Sequence, residues 1–596
     1  MDNLFLLKTC QTQKDFASLL GYSEKEFTRI LFSQPIQNKY KSFEIPKKNG
    51  NKRNILAPVP DLKILQTRLS ILLTHCYDEL EHKRLSKSSY VQCISSHGFR
   101  KKILVEIPIS KKSRTFFESK VINFGIYSNA KKHVGKNLVL NIDLKDFFQS
   151  ITFSRIIGFF TKNKHFQLNF DIALLIAQIA TYRPNQVKEG FLPQGSPCSP
   201  IISNLIGNIL DIKMVKLARK YKFTYTRYVD DLTLSTNLPQ FSEEIIKLDG
   251  KSWVIGSTLK HAINSSKFEV NPQKTRLTNK YNRQEVTGLT VNRKVNISKE
   301  YYRYTRSMVQ NFCAEGRFFK SKVHMDEDKT TREALNGILS HIFQIKNKQQ
   351  VDFNNQTRNF HELNSIEKLY TKFLFHHYFV HPQRMIIIGE GYTDPLHFKL
   401  ACHRLYNNSL KFIKFSSLEG TKLFSKITGY GGGTGLLKIF LQNYKQFYKA
   451  KNICLKPCLI IVDGDSDGEA VISKARAEFK GTFKKISHSS MTIAGLLDYY
   501  HVFNNLYILQ LPKNQVIEDF YDPSILTNPI GSKTFHSDDK KRKDKFNNDL
   551  HYGKKALFDK IIVPNQNTID FSKFDLIFNT IFHIQLYHYL FSNMNK

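Results

Sequence analysis

Residues 1–40 alternate apolar and polar positions at helical spacing, which predicts short amphipathic helices at the start of the chain. The stretch FEIPKKNGNKRNILAPV (43–59) predicts two short strands joined by a basic Gly/Asn turn. In NLVLNIDLKDFF (137–148) the period is two. Leu138, Leu140 and Ile142 share one face and Val139, Asn141 and Asp143 the other, so Asp143 ends a strand pointing away from the aliphatic face. KFTYTRYVDDLTLST (222–236) reads as two β-rich arms meeting at Val229–Asp230. The segments 324–333 and 346–358 read as loops, with helical patterns at 334–345 and 364–380. From residue 384 short aliphatic strands alternate with helices and Gly-rich turns, the pattern of a parallel α/β unit. A main boundary near residue 380 follows, and no repeat of fixed period is present.

Composition sharpens this picture. A chain of 596 residues calls for two to four domains, and 41% hydrophobic with 13% aromatic residues is too apolar for disorder. Lys and Arg total 89 against 51 Asp and Glu, a net charge of +38. Such an excess predicts a polyanionic partner, because each neutralised phosphate releases counterions. An anionic membrane is the competing partner, but no apolar run approaches the ~18 residues that span a bilayer. MDNLFLLKTCQTQKDF lacks the basic start of a secretory signal, so a cytoplasmic location without membrane attachment is expected. The eight cysteines form no CxxC pair, and even Cys454 and Cys458 read as small hydrophobes in a reducing compartment.

Two acidic constellations carry the candidate chemistry. In the first, Asp230 and Asp231 adjoin at a hairpin tip and repel each other, a cost that a bound divalent cation offsets. With Asp143 they make three carboxylates, enough to hold two metals that activate a 3′-hydroxyl and stabilise leaving pyrophosphate. LPQGSPCSPIISNLI (192–206) and NPQKTRL (271–277) follow in order along the chain. Together these segments resemble the reverse transcriptases over about 330 residues. The resemblance makes Asp143 the first catalytic aspartate and Tyr228-Val229-Asp230-Asp231 the YxDD box. It makes Pro193-Gln194-Gly195 the template- and nucleotide-contacting turn, and sets Lys274 and Arg53 near the incoming triphosphate. It makes Phe148 the ring that excludes a ribose 2′-hydroxyl. Asn129-Ala130-Lys131-Lys132-His133 resembles the NAxxH element of bacterial retron enzymes, and Val286-Thr287-Gly288 their VTG element. This branch implies RNA contacts at Asn129, His133, Val286, Thr287 and Gly288. The stretch 100–128 before the NAxxH element is longer than the resemblance leads one to expect.

In the second constellation, MIIIGEGYTD (385–394) and LIIVDGDSDG (459–468) are aliphatic strands ending in acids, and such ends line the crevice of a parallel sheet. Glu390, Asp463, Asp465 and Asp467 are the candidate metal ligands. An EF-hand is excluded because its twelfth position is Lys474. A dinucleotide site is excluded by Asp394 in the third glycine's place, and a P-loop by the spacing of GYGGGTGLLK (429–438). What remains resembles the toprim domain, with Glu390-Gly391 and Asp463-x-Asp465 as its acids, the Gly-rich stretch 429–435 between them, and Leu511 through Glu518-Asp519 as a later acidic element. That family implies Mg²⁺ or Mn²⁺ chemistry on phosphodiesters, and roughly 210 residues leave little room for a topoisomerase gate, so a nuclease is expected.

Other features read blandly. His376, His377 and His381 lie in an aromatic helix and predict packing. The run 538–546 predicts a solvated loop, and 574–590 either closes the second core or builds a homo-oligomer contact. Tyr301, Tyr302, Arg303, Tyr304 and Arg306 mix rings and cations as nucleic-acid surfaces do, and as amphipathic helices also do. The expected architecture is an α+β right-hand polymerase followed by an α/β toprim domain with a Rossmann-like parallel sheet. Fingers and palm span 1–300, thumb and helical connector 301–380, and the toprim effector 381–596. The resemblances imply a two-metal Mg²⁺ site, dNTPs, a cognate structured RNA and its branched DNA copy as partners, host RNase H for template removal, and a role in anti-phage defence. A non-catalytic toprim binding module and a group II intron-like polymerase are the alternatives; no Cys/His tail of the latter kind is present.

Overall fold

A computed structural model describes every residue except 1, 47–49, 51, 88–94, 101, 109–116, 186, 188, 251, 319–330, 348–361, 408–409, 417–432, 452–453, 455, 488–494, 537–545 and 595–596, together with the side chains of 84–87, 103–108, 117–120 and 122. Most of the two expected loops, residues 429–432 of the Gly-rich stretch and the basic run 538–545 therefore lie outside the described residues. The chain forms two compact units, Met1–Ser298 and Lys299–Lys596.

In the first unit three short helices precede an antiparallel hairpin of β1 (Tyr40–Pro46) and β2 (Lys52–Pro58). Two of them start with reciprocal capping boxes, Thr12 with Asp15 and Ser23 with Glu26. A second antiparallel hairpin, β3 (Ile103–Pro108) with β4 (Phe117–Ile122), accounts for the unexpected length of 100–128. The central sheet joins β5 (Leu138–Lys145), β6 (Thr224–Tyr228) and β7 (Asp231–Thr236). A small hairpin of β8 (Ile246–Asp249) and β9 (Ser252–Ile255) follows, then β10 (Glu269–Asn279) completes the sheet in the order β10-β5-β7-β6. β5 lies between β10 and β7 and is antiparallel to both.

Alternation along these strands divides the sheet into two faces. Leu140, Ile142, Leu144, Leu232 and Leu234 pack in one core with Ile201, Ile202, Leu205 and Ile206 of the helix Ser199–Lys220. The other face carries Asn141, Asp143, Thr226, Asp231, Thr233 and Ser235. Its far end is covered, which the period-two pattern alone did not indicate. The helix Ile126–Lys131 packs there against β11 (Glu285–Val286) and β12 (Leu289–Thr290). Thr287 and Gly288 join these two strands with φ of 48° and 78°. Positive φ at both central residues is what a tight hairpin turn requires, and the glycine adopts it without cost.

The second unit begins with three helices, Lys299–Glu315, Arg332–Asn347 and Ser365–Phe375, whose buried faces include Phe312, Leu339, Ile342, Phe343, Tyr370 and Phe373. A six-stranded sheet follows, of β13 (Met385–Ile388), β14 (Ile413–Ser416), β15 (Cys458–Val462), β16 (Lys484–Ile486), β17 (Tyr499–Phe503) and β18 (Leu506–Gln510). Its order is β14-β13-β15-β18-β17-β16. The first four strands are parallel, and MIII and CLIIV are buried at every position, as strands covered on both faces must be. The sheet is mixed rather than wholly parallel, because Asn504, at φ 47°, turns β17 tightly into an antiparallel β18.

The histidines behave as packing residues. His376 Nε2 meets the Phe447 carbonyl at 2.7 Å, His381 Nε2 meets that of Cys313 at 3.0 Å, and burial pulls both imidazoles below their ordinary pKa. The helix Asp575–Met594 closes the second core with Ile577, Phe578, Ile581 and Ile584. Among the described residues no helix is long and apolar enough to cross a membrane.

Candidate active sites

Asp143 and Asp231 are direct partners across the β5–β7 ladder, and Leu144 N–H donates to the Asp230 carbonyl at 3.0 Å. Opposed residues in such a ladder have Cα atoms about 4.5–5.5 Å apart, so the three carboxylates converge. Partial burial raises the pKa of Asp230, and the Asp143 charge adds to it. Asp231 is pushed up to about 7, first by the surrounding protein and then by the charges of Asp230 and Asp143. Lys274 Nζ sits 2.8 Å from Asp143 Oδ1, and Asn271 Nδ2 donates to Oδ2 at 3.3 Å.

No group of three or more His, Cys, Asp or Glu among the described residues stands in ligand geometry, and this lysine supplies a physical reason. Lys274 serves as the local cation on Asp143. Its side chain is 61% exposed and so is able to swing away. The donor set of oxygen carboxylates, held close enough that Asp143 raises the pKa of both Asp230 and Asp231, suits a hard divalent cation.

The other residues expected here gather around the same point. Arg53 on β2 is close enough to Asp230 for its charge to draw that pKa down. β2 is fixed to the Pro193-Gln194-Gly195 turn, where Leu56 N–H donates to the Gln194 carbonyl at 2.8 Å. Gly195 has φ 124°, and a Cβ there would lie 2.6 Å from the Leu56 carbonyl oxygen, so no side chain fits. Phe148 is half-buried and leans on Phe147 and Phe99.

The residues expected to touch RNA lie differently. Asn129, His133 and Val286 are fully buried. The two His133 ring nitrogens meet the Ser235 and Thr226 hydroxyls at 2.7 Å each, and burial drives the imidazole down to about 3. Thr287 Oγ1 donates to the Ile126 carbonyl at 3.4 Å. The NAxxH and VTG elements thus pack on each other and on the far end of the catalytic face. Asn129, His133 and Val286 are buried there, whereas Thr287 is half-buried and Gly288 exposed.

One supporting group was missed. Val229 adopts φ 62°, a strained conformation for a β-branched residue. Arg227 Nη1 donates to its carbonyl at 3.1 Å. The fully buried Arg227 guanidinium also grips Asp211 through Nε and Nη2, at 2.8 Å each. Gly98 packs so closely that a Cβ would fall 2.7 Å from Val229 Cγ2. An arginine at an inward strand position and an aspartate between Leu210 and Ile212 in an apolar helix were the available signals.

In the second unit Glu390 and Asp463 follow the adjacent parallel strands β13 and β15. Asp463 N–H approaches Glu390 Oε2 at 3.4 Å. Both line a cleft of about 430 Å³ with Thr393, Asp394, His536 and Lys554. Burial, reinforced by neighbouring acids, pushes Glu390 up to about 7 and Asp463 to about 8. Asp394 Oδ2 accepts from Gly391 N–H at 2.6 Å. Asp465 acts as a helix cap, its Oδ1 accepting from the N–H groups of Asp467 at 3.0 Å and Gly468 at 2.9 Å, and neither Asp465 nor Asp467 lines the cleft. Asp465 is still near enough for its charge to raise Glu390. Lys554 Nζ pairs with the buried Glu518 carboxylate at 3.1 Å. Asp394 and Lys554 were missed: the first lay inside a pattern weighed for another purpose, and the second has no motif around it. Here too the oxygen donors fit a hard cation, with Lys554 as resident counter-charge.

A family model for reverse transcriptase (RNA-dependent DNA polymerase) matches residues 45–292. The Mx65 retron reverse transcriptase of Myxococcus xanthus is 29% identical over 357 residues, covering 58% of this chain and 70% of that protein. The Mx162 retron reverse transcriptase of the same organism is 31% identical, covering 46% of this chain and 52% of its own length. The Ec86 retron reverse transcriptase of Escherichia coli is 34% identical over 192 residues, covering 32% and 54%. The chain thus spans about half the length of two of these three relatives. A telomerase from Candida albicans, solved with a fragment of telomeric RNA, aligns at 12% identity and TM-score 0.29 over 70% of this chain and 66% of that one, a likeness too slight to carry an argument. Residues 45–292, which hold the paired β5 and YxDD hairpin, thus match the reverse transcriptase family model, and the chain is similar to retron reverse transcriptases.

Proposed function

We propose that this protein is an RNA-directed DNA polymerase of the retron kind, joined to a toprim-type nuclease that acts in anti-phage defence. In this reading fingers and palm occupy 1–300, thumb and connector 301–380, and the effector 381–596. The observation that carries the polymerase is the meeting of Asp143, Asp230 and Asp231 on one sheet face beside Arg53, Lys274 and the Gln194–Gly195 turn.

Mg²⁺, when bound, supplies the charge that activates a primer hydroxyl and steadies leaving pyrophosphate. Asp143, Asp230 and Asp231 hold it. Lys274 leaves Asp143 and, with Arg53, pairs with the incoming triphosphate. Phe148 bars the 2′-hydroxyl of a ribonucleotide. The template is the enzyme's own structured non-coding RNA, primed from one of its 2′-hydroxyls, with RNase H removing copied template. The buried NAxxH–VTG assembly sets the shape of the RNA-proximal backbone.

For the effector, support comes from Glu390 and Asp463 at the carboxyl ends of adjacent parallel strands, the usual ligand position in such sheets. Glu390 and Asp463 hold Mg²⁺ or Mn²⁺ there, and the RNA–DNA product keeps this activity in check until infection disturbs it.

Purification of the full chain from its host, followed by DNase and RNase digestion of the bound nucleic acid, tests the polymerase. A small branched RNA–DNA hybrid is expected; RNA alone, or nothing, contradicts it. Glu390→Gln is expected to leave DNA synthesis intact and abolish metal-dependent cleavage and protection from phage. Unchanged protection removes the nuclease from the account.

A further inference from the structure

Beside the carboxylate cluster the first unit holds a groove of about 900 Å³. Its apolar lining is Trp253, Val254, Ile255, Phe268, Val270 and Pro272, contributed by β9, β10 and the turn before β10. Lys145, Lys260 and Lys267 line it too, with Gln149, Ser150, Asn264 and Thr275. Asp146 and Glu269 are its acids, and Glu269 already faces Lys145 at 4.0 Å.

Trp253 is the only tryptophan in 596 residues, and it stands on the small β8–β9 hairpin rather than in a core. It is 42% exposed, and its direct ladder partner Leu248 is 59% exposed. Phe268, by contrast, is buried, stacked on Phe147 at 5.3 Å and covered by the Arg155 guanidinium at 4.2 Å. The groove therefore has a firm aromatic floor and one aromatic side chain left open to stack.

We propose that this groove binds a single-stranded segment of RNA, with one base stacked on Trp253 and its phosphates near Lys260 and Lys267. A flat ring beside lysines and short amides is how sequence-tolerant single-strand sites are built. The volume lies within the ~300–1,000 Å³ of clefts that enclose small ligands, room for a nucleotide or two of a longer strand. Charge selects this occupant over a second copy of the chain, which at +38 brings like charge to the lysines. Position supports it as well. Lys145 is two residues from Asp143 on β5, and Thr275 follows Lys274 on β10, so a strand in the groove runs beside the catalytic edge. The choice of RNA rests on the reverse transcriptase reading.

The lone tryptophan makes the test direct. Fluorescence excited selectively at Trp253 is recorded while the full-length protein is titrated with an unstructured oligoribonucleotide. Saturable quenching that weakens with added salt is expected. Replacement of both Lys260 and Lys267 by Glu is expected to raise the concentration needed by about tenfold, while extension of a generic annealed primer–template continues. Either no quenching by RNA that binds the protein, or quenching unaffected by the double substitution, overturns the proposal. Equal quenching by free mononucleotides at the same nucleotide concentration also overturns it, in favour of a nucleotide site. Failure of primer extension in the unaltered protein refutes the polymerase reading instead, so the two ideas fail separately.

Discussion

The two acidic clusters reach similar charge crowding by opposite constructions. The polymerase carboxylates sit on an antiparallel ladder and a strained turn. Their counter-charge, Lys274, lies on an exposed side chain of an edge strand. The cleft of the second unit sits at the ends of parallel strands, and its counter-charge, Lys554, is tied to the buried Glu518. Burial alone would lower the Lys554 pKa, but the surrounding acids hold it above its ordinary value. A movable cation suits the proposed polymerase role, in which a triphosphate is admitted on every cycle. A fixed one suits a site whose cation stays charged whatever binds.

This contrast can be broken in several ways, beginning with the largest effect. Asp230→Asn is expected to lower DNA synthesis by roughly a thousandfold or more while leaving RNA affinity nearly unchanged, as primer extension beside filter binding will show. Lys274→Ala, in comparison, is expected to weaken nucleotide use about tenfold or more, since Asp143 keeps its other partners; a loss as large as that of Asp230→Asn means the lysine is no mere stand-in.

Arg227→Met strands the buried Asp211 and releases the Val229 turn. It is expected to destabilise the first unit by about 3–5 kcal/mol in denaturant unfolding, since a buried charge left without its partner carries that order of cost. The exposed Lys274–Asp143 pair has no comparable effect on stability.

The smallest expected effect is a pH dependence. Glu390 and Asp463 have pKa values raised to about 7 and about 8, above those of an unfolded chain. Their stabilising contribution is therefore present below the ordinary carboxylate range and lost as pH rises through about 7 to 8. With a chelator present, the second unit is expected to melt about 2–4 °C lower across that window, and Mg²⁺ to restore it. A melting temperature that rises with pH contradicts the raised pKa values.

Much of the polymerase was legible because its chemistry travels with local pattern. The period-two face of 137–148 located Asp143, and the YVDD arms located the turn. The ladder needed only to bring them together. Arg53, Gln194 and Gly195 were legible through resemblance to a family, since residues 53 and 194 meet only through backbone pairing distant in sequence. The burial of Asn129, His133 and Val286 did not follow from their motifs. Short triplets carry no depth information, and these side chains lie beneath the surface. Likewise the alternation in β6 and β7 shows Thr226 and Ser235 facing away from the core, but not that His133 covers them.

In the second unit the strand ends gave Glu390 and Asp463, while Asp465 turned out to cap a helix. An acid just before a helix suits either task, and only the observed bonds to Asp467 and Gly468 decide between them. Lys554 was illegible because it reaches the acids from the start of a four-residue helix, 91 positions after Asp463 in a numbering that runs from 463 to 554.

The central claim is that carboxylates in each unit gather divalent cations. Crystals grown with Mn²⁺ and measured for its anomalous scattering test it most directly. Density is expected among Asp143, Asp230 and Asp231, with the Lys274 ammonium withdrawn from Asp143, and separately between Glu390 and Asp463. Anomalous peaks absent from both places, with Lys274 still seated on Asp143, contradict it.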